Sequence, residues 1–203
     1  MKKGEKRKQD LIRIAYRLFV SRGYEHTSVD EIIEEAGIAK GTYYYYFESK
    51  EQMLEEVIEM MLQAEAEKAE AVLQTELSVP EKIVGIIAAI HPAQDEHTIE
   101  EALHRPENIL MHNKIRERLF DLAVPVLSRA AEEGVKEGLF TCDNIPERVR
   151  MIMILGSDLF DGRMSFGPAM ADVFIDTVEK LLGARPGTMG FLRPMIRPAG
   201  KDQ

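Results

Sequence analysis

Residues 27–54 read TSVDEIIEEAGIAKGTYYYYFESKEQML. Ser28 precedes Glu31 by three positions, the spacing at which a helix N-cap and its third residue satisfy each other's backbone donors. Val29, Ile32, Ile33 and Ala36 then fall on one helical face. Gly37 ends this short helix, and Ile38 sits in a tight turn. A second short helix is predicted from about Lys40 to Tyr46. Ser49 and Gln52 repeat the capping spacing and open a longer helix with Met53, Leu54, Val57, Ile58, Met61 and Leu62 as its stripe. Tyr43 to Tyr46 run into Phe47. Successive helical residues turn by about 100°, so these five aromatics cannot all be core. Some must face solvent or a partner.

Helical spacing extends outward on both sides. Leu11, Ile14, Ala15, Leu18 and Phe19 form an apolar stripe that Gly23 closes. After a break at residues 77–80, Ser78, Pro80 and Glu81 start a helix through about Ile90. Pro92 and Pro106 bracket a short helical piece. A long helix follows, and Pro125 is expected to kink or divide it. Two more helices are predicted, at about 146–162 and 168–182. The Pro/Gly-rich tail reads as irregular. Strand-like alternation and internal repeats are absent from the sequence. The fold class is therefore all-α. The expected organisation is a three-helix domain over residues 1–50, a larger helical domain over 51–183, and a tail over 184–203.

Composition bounds the function. Hydrophobic residues make up 45% of the 203 positions, enough for a sizeable core. A secretory signal and a membrane span are not expected, and the single cysteine excludes an internal disulfide framework. These features fit a reducing, cytoplasmic setting. The net charge is −9, but residues 1–22 hold eight basic and two acidic groups, a local charge of +6. The rest of the chain therefore carries −15. A basic arm on an acidic body is the asymmetry of a chain whose one end meets a polyanion.

Residues 28–47 have the grammar of a helix-turn-helix. In that arrangement the second helix enters the DNA major groove and the first crosses the backbone. The side chains at the start of the second helix can then reach base edges. Here they are Lys40, Gly41 and Thr42. Lys40 can donate to guanine or phosphate, Gly41 lets the backbone approach closely, and Thr42 offers a hydroxyl and a methyl.

With its Ala36-Gly37-Ile38 turn, its Lys40-Gly41-Thr42 start, the aromatic run to Phe47 and the Ser49-Lys50-Glu51 opening, this segment resembles the DNA-binding domain of the TetR family of bacterial transcriptional regulators. The resemblance covers roughly residues 6–62. It implies that Tyr43 packs inward with Phe47. Tyr44 would hydrogen-bond a phosphate, and Tyr45 would reach the backbone edge of the groove. Tyr46 would contact phosphate or pack against the first helix. Lys50 corresponds to a phosphate ligand, and Thr27 and Ser28 are further phosphate candidates beside a helix N-terminus. Ala39 departs from a common Ser, and Glu48 puts a negative charge where Lys is frequent.

The resemblance also implies a ligand-responsive regulator, most simply a repressor. It would bind a palindromic double-stranded DNA operator as a homodimer built on helices 146–162 and 168–182. A small-molecule effector of unknown identity would release it. His112 and Asn113 are the candidate ligand-binding residues. His91, His97, His104 and His112 have no dedicated zinc spacing, so neither metal nor cofactor is expected. Cys142 beside Asp143 reads as inert. Phosphate loops, nucleophile elbows and paired catalytic carboxylates are missing, which argues against an enzyme. The alternative is a helical protein-interaction module without sequence-specific DNA binding.

Overall fold

The computed structural model describes residues 3–90, 108–160 and 167–196. Among the described residues, eight α-helices follow in order: α1 (Lys3–Arg22), α2 (Val29–Ala36), α3 (Lys40–Tyr46), α4 (Lys50–Leu73), α5 (Val79–Ile90), α6 (Ile109–Lys136), α7 (Ile145–Phe160) and α8 (Pro168–Leu182). A 3-10 turn spans Gly190–Met195. Strands are absent among the described residues. The chain is all-α, as its periodicity predicts. The helical piece expected between Pro92 and Pro106 lies outside the described residues, with His91, His97 and His104.

The chain divides into two compact units, residues 1–65 with 92–119 and residues 66–91 with 120–203. The division therefore falls inside α4 and α6 rather than at a loop near residue 50.

In the first unit, α1 to α3 and the start of α4 enclose one core. Leu11, Ile12, Ala15 and Phe19 of α1 meet Ile32, Tyr43, Phe47, Met53, Leu54, Val57 and Ile58. Ile32 is the one fully enclosed residue of α2. A helix of eight residues is marginal alone, so α2 depends on that anchor and on its caps. Both caps are complete. Ser28 and Glu31 form the reciprocal box, and Gly37 takes a left-handed conformation (φ 61°) while its N–H bonds back to Glu34 and Ile33. The box expected at Ser49 and Gln52 forms with a shift. The Ser49 hydroxyl accepts from the Gln52 N–H at 3.1 Å, but the Gln52 side chain accepts from Glu48 at 2.5 Å.

In the second unit, α7 packs on α8, and the 3-10 turn packs on α8 and α5. The tail expected to be irregular is ordered as far as Ile196. Met189, Leu192 and Ile196 are buried. The carboxylate of buried Glu179 accepts from the Met189 N–H at 2.9 Å. The three apolar residues recur at spacings of three and four, a signal that the surrounding Pro and Gly outweighed.

Helix α6 continues through Pro125 without division. The proline removes the donor that would serve the Asp121 carbonyl. Both residues lie on the exposed face, where water can replace that donor, while Ala123, Val124 and Val126 are buried and hold the helix by packing. Further along, a Cβ on Gly134 would lie 2.4 Å from the ring of Phe140. The Gly134 carbonyl meanwhile accepts from Leu139 and Phe140 at 2.8 and 3.2 Å. The helix end and the buried aromatic ring after it are thus folded onto one another.

Candidate nucleic-acid interface

The seven residues of α3 are placed from beneath. Tyr43 is wholly buried, and its ring lies 5.5 Å from that of Phe47. Burial pushes its phenol up to about 12, so it stays protonated and can donate to the Ser49 carbonyl. With Tyr43 fixed on the inner face, the helical turn sends Tyr44 and Tyr45 outward, where they are 49% and 81% exposed. Tyr46 is half-buried against the core, and its hydroxyl lies 3.5 Å from the place a Cβ on Gly4 would occupy. Of the two roles left open for Tyr46, packing against the first helix is the one the fold uses.

The helix start is open. Gly41 is exposed and a Cβ there would meet nothing within 4 Å. The fold therefore has no need of glycine at this position. Ala39 supplies no side-chain cap, and the Thr42 N–H bonds to the Ala39 carbonyl at 2.8 Å. Lys40 is exposed and its ammonium donates to Asp30 of α2 at 2.8 Å. That hydrogen bond and the carboxylate's charge raise its pKa.

The helix-start candidates divide. Thr27 is buried, and its hydroxyl donates to the Gly23 carbonyl at 2.8 Å. It closes the turn after α1 and does not present a hydroxyl to phosphate, which corrects the sequence expectation. Ser28 is exposed but engaged with Glu31 in capping α2. Lys50 lies over the ring of Tyr24, its ammonium 4.1 Å from the centroid. Tyr24 is itself buried, and burial followed by the Glu51 carboxylate raises its pKa.

Asn108 is a residue that sequence reasoning missed. Fully buried, it accepts from the Tyr24 N–H at 2.6 Å and donates to the Phe19 carbonyl at 3.3 Å. It thereby satisfies the frayed end of α1. No local pattern announces a partner 84 positions away.

His112 is buried in the first unit next to core residue Met111, and Asn113 is exposed. Neither lines a groove found among the described residues of the second unit. That groove, of about 550 Å³, is lined by Ala66, Glu67, Glu70, Ala71 and Gln74 of α4 and by Leu122 and Val126 of α6. Glu70 is paired there with Arg129, which holds its carboxyl below the ordinary range. Cys142 is half-buried, and desolvation raises its pKa, with Asp143 adding a smaller push. No group of His, Cys, Asp and Glu suited to a metal occurs among the described residues.

The family model described as "Bacterial regulatory proteins, tetR family" matches residues 11–57, the segment that holds α1, α2, α3 and the start of α4. That segment of the chain is thus similar to the DNA-binding domain of the TetR family. The chain is 33% identical over 116 residues to the HTH-type transcriptional repressor KstR2 of Mycolicibacterium smegmatis. That match covers 57% of this chain and spans only about half, 53%, of the repressor's length. Among solved structures, RolR in complex with resorcinol aligns over 98% of this chain and 97% of its own, with a TM-score of 0.64 and 20% identity. A transcriptional regulator from Saccharomonospora viridis in complex with choline aligns over 86% and 96%, with a TM-score of 0.55 and 20% identity. At such identities the likeness is one of fold. The curated relative KstR2 is a transcriptional repressor. Among the described residues, no helix is long and apolar enough to cross a membrane.

Proposed function

We propose that this chain is a DNA-binding transcriptional regulator of the TetR family, a cytoplasmic repressor that grips its operator with α3. The observation that carries this reading is the division of the tyrosine run. One phenol is locked in the core while Tyr44 and Tyr45 stand in solvent beside the open edge at Lys40, Gly41 and Thr42. The rings of Tyr44 and Tyr45 lie edge-to-face against Tyr43 and Tyr46, at 5.3 and 4.9 Å, which leaves each phenol hydroxyl to donate to a phosphate without adding charge. Lys40 and Thr42 then face the base edges. Lys50 supplies a further cation near the backbone.

Helices α7 and α8 support a two-fold homodimer. Met151, Ile154 and Leu155 on α7 and Met170 and Val173 on α8 are exposed apolar residues. The inner faces of the same helices, including Leu159, Phe174, Val178 and Leu182, are already used within the chain. A second copy would cover the outer ones, and a two-fold dimer calls for a palindromic operator. The groove along α4 and α6 is a candidate effector site, in addition to His112 and Asn113. Solved relatives of this fold hold small organic molecules, resorcinol in one and choline in another. An effector acts only by binding the operator-competent and released states with different affinity.

The deciding experiment is selection of duplexes from a random-sequence library by the full-length protein, followed by affinity measurement across salt. The reading expects a palindromic consensus and a steep fall of affinity with salt. Failure to enrich any sequence would leave the chain as an interaction module.

A further inference from the structure

Helix α2 carries four carboxylates, Asp30, Glu31, Glu34 and Glu35. Three of them meet cations. Glu31 reaches Arg22 at 3.2 Å and Glu35 reaches Arg17 at 3.6 Å, both on α1. The Asp30 pair differs in kind. At 2.8 Å it joins α2 to Lys40, the first residue of α3 and the foremost candidate for base contact. Both side chains are largely in solvent, at 61% and 74% exposure. Pairs so exposed contribute little to stability. The fold's own use for a carboxylate here is its place in the first turn of α2, which the helix dipole favours and which does not call for Lys40 as a partner.

Its effect falls on whatever approaches Lys40. A lysine ammonium is a compact charge that serves any phosphate it meets. A phosphate at Lys40 would set a second anion beside Asp30, with only a few ångströms between like charges. The guanine acceptors of the major groove are neutral and incur far less repulsion. The ammonium also has three donors, of which Asp30 takes one. We propose that Asp30 is a specificity-determining residue, which acts through Lys40 by holding its ammonium for a neutral base acceptor and disfavouring its use as a phosphate anchor. The inference rests on the DNA-binding reading and adds a positioning residue to it.

The test uses the full-length protein and two duplexes, one selected by the wild type from a random library and one a scrambled version of it. Asp30→Asn is expected to raise affinity for the scrambled duplex by roughly threefold to tenfold and to steepen its salt slope by about one. Affinity for the selected duplex should change by less than about twofold, so the specificity ratio falls. In a Lys40→Ala background the same change should have no effect on the ratio, since residues that act through one contact are coupled and their substitutions do not add. Glu34→Gln removes the same charge from the same helix and should shift both duplexes by one common factor. Asp30 lies in the first turn of α2, so circular dichroism should accompany each variant, with Asp30→Ser as the second choice if the Asn form unfolds. The inference is overturned if Asp30→Asn moves both duplexes equally, or if its effect on the ratio persists without Lys40. A wild type that selects no duplex, or a Lys40→Ala variant with unchanged affinity for both, removes the DNA-binding role of α3 instead.

Discussion

The buried phenol of Tyr43 donates to the carbonyl of Ser49 at 3.3 Å, tying the core side of α3 to the residue that caps α4. Tyr43, just before the exposed Tyr44 and Tyr45, is thus anchored at both its ring and its hydroxyl. Tyr43→Phe should keep the packing and lose about 1 kcal/mol, the usual net worth of such a bond. Tyr43→Ala should cost about 3–5 kcal/mol, as for other large buried rings. Urea unfolding of the two variants checks the ordering.

Gly41 offers the opposite test. Since a Cβ there meets only open space, Gly41→Ala should not destabilise the fold and should add about 0.5–1 kcal/mol through helix propensity. If the backbone at Gly41 approaches DNA closely, the same methyl should lower duplex affinity by about tenfold, near 1.4 kcal/mol. A melting curve and a binding isotherm on the same sample would separate these outcomes. Unchanged affinity would show that the helix start is not in close contact.

Tyr44→Phe and Tyr45→Phe should each weaken duplex binding by the worth of one hydrogen bond, roughly threefold to tenfold. Contacts to phosphate carry no sequence information, so selected and scrambled duplexes should lose equally. The salt slope should stay as it was, because a neutral phenol releases no counterion. A loss confined to the selected duplex would assign the phenol to a base instead.

Ile154→Glu combined with Val173→Glu should yield a folded monomer at micromolar concentration. Both residues are more than half exposed, so the chain itself tolerates the charges, whereas a covered face does not. Analytical ultracentrifugation against the wild type reads the result. A wild type that is already monomeric would discard the proposed dimer.

The cap of α2 makes the stability pH-dependent in a defined direction. The Ser28 N–H and hydroxyl hold the Glu31 carboxyl below its ordinary value of 4.5, with Arg22 adding less. The folded state therefore favours the carboxylate. Its contribution is complete above the ordinary value and fades as pH falls through the lowered one. Glu31→Gln keeps an acceptor for the Ser28 N–H but cannot titrate. Denaturant midpoints of the variant should fall less steeply than those of the wild type below about pH 4.5.

The helices and the splitting of the tyrosine run were legible because both follow from a 3.6-residue period. The periodicity says which face of α3 is buried, and Phe47 four residues after Tyr43 says which tyrosine shares it. Other features depend on partners far away in sequence. The bond from Tyr24 to Asn108 leaves no local trace. Thr27 is indistinguishable by type from a surface hydroxyl until the turn at Gly23 closes over it. His112 and Asn113 were assigned to a pocket from their position on a long helix. Periodicity gives the face of such a helix but not which of two units each turn serves, and α6 contributes to both.

The close approach of Gly134 and Phe140 has a consequence for how this sequence can drift. Enlarging residue 134 alone would collide with the ring, and shrinking residue 140 alone would open a void beside Val79. The two positions are therefore expected to change together or not at all. A lineage that carries alanine or serine at 134 should show a smaller side chain at 140, which makes the pair a signature of shared descent for this helix end.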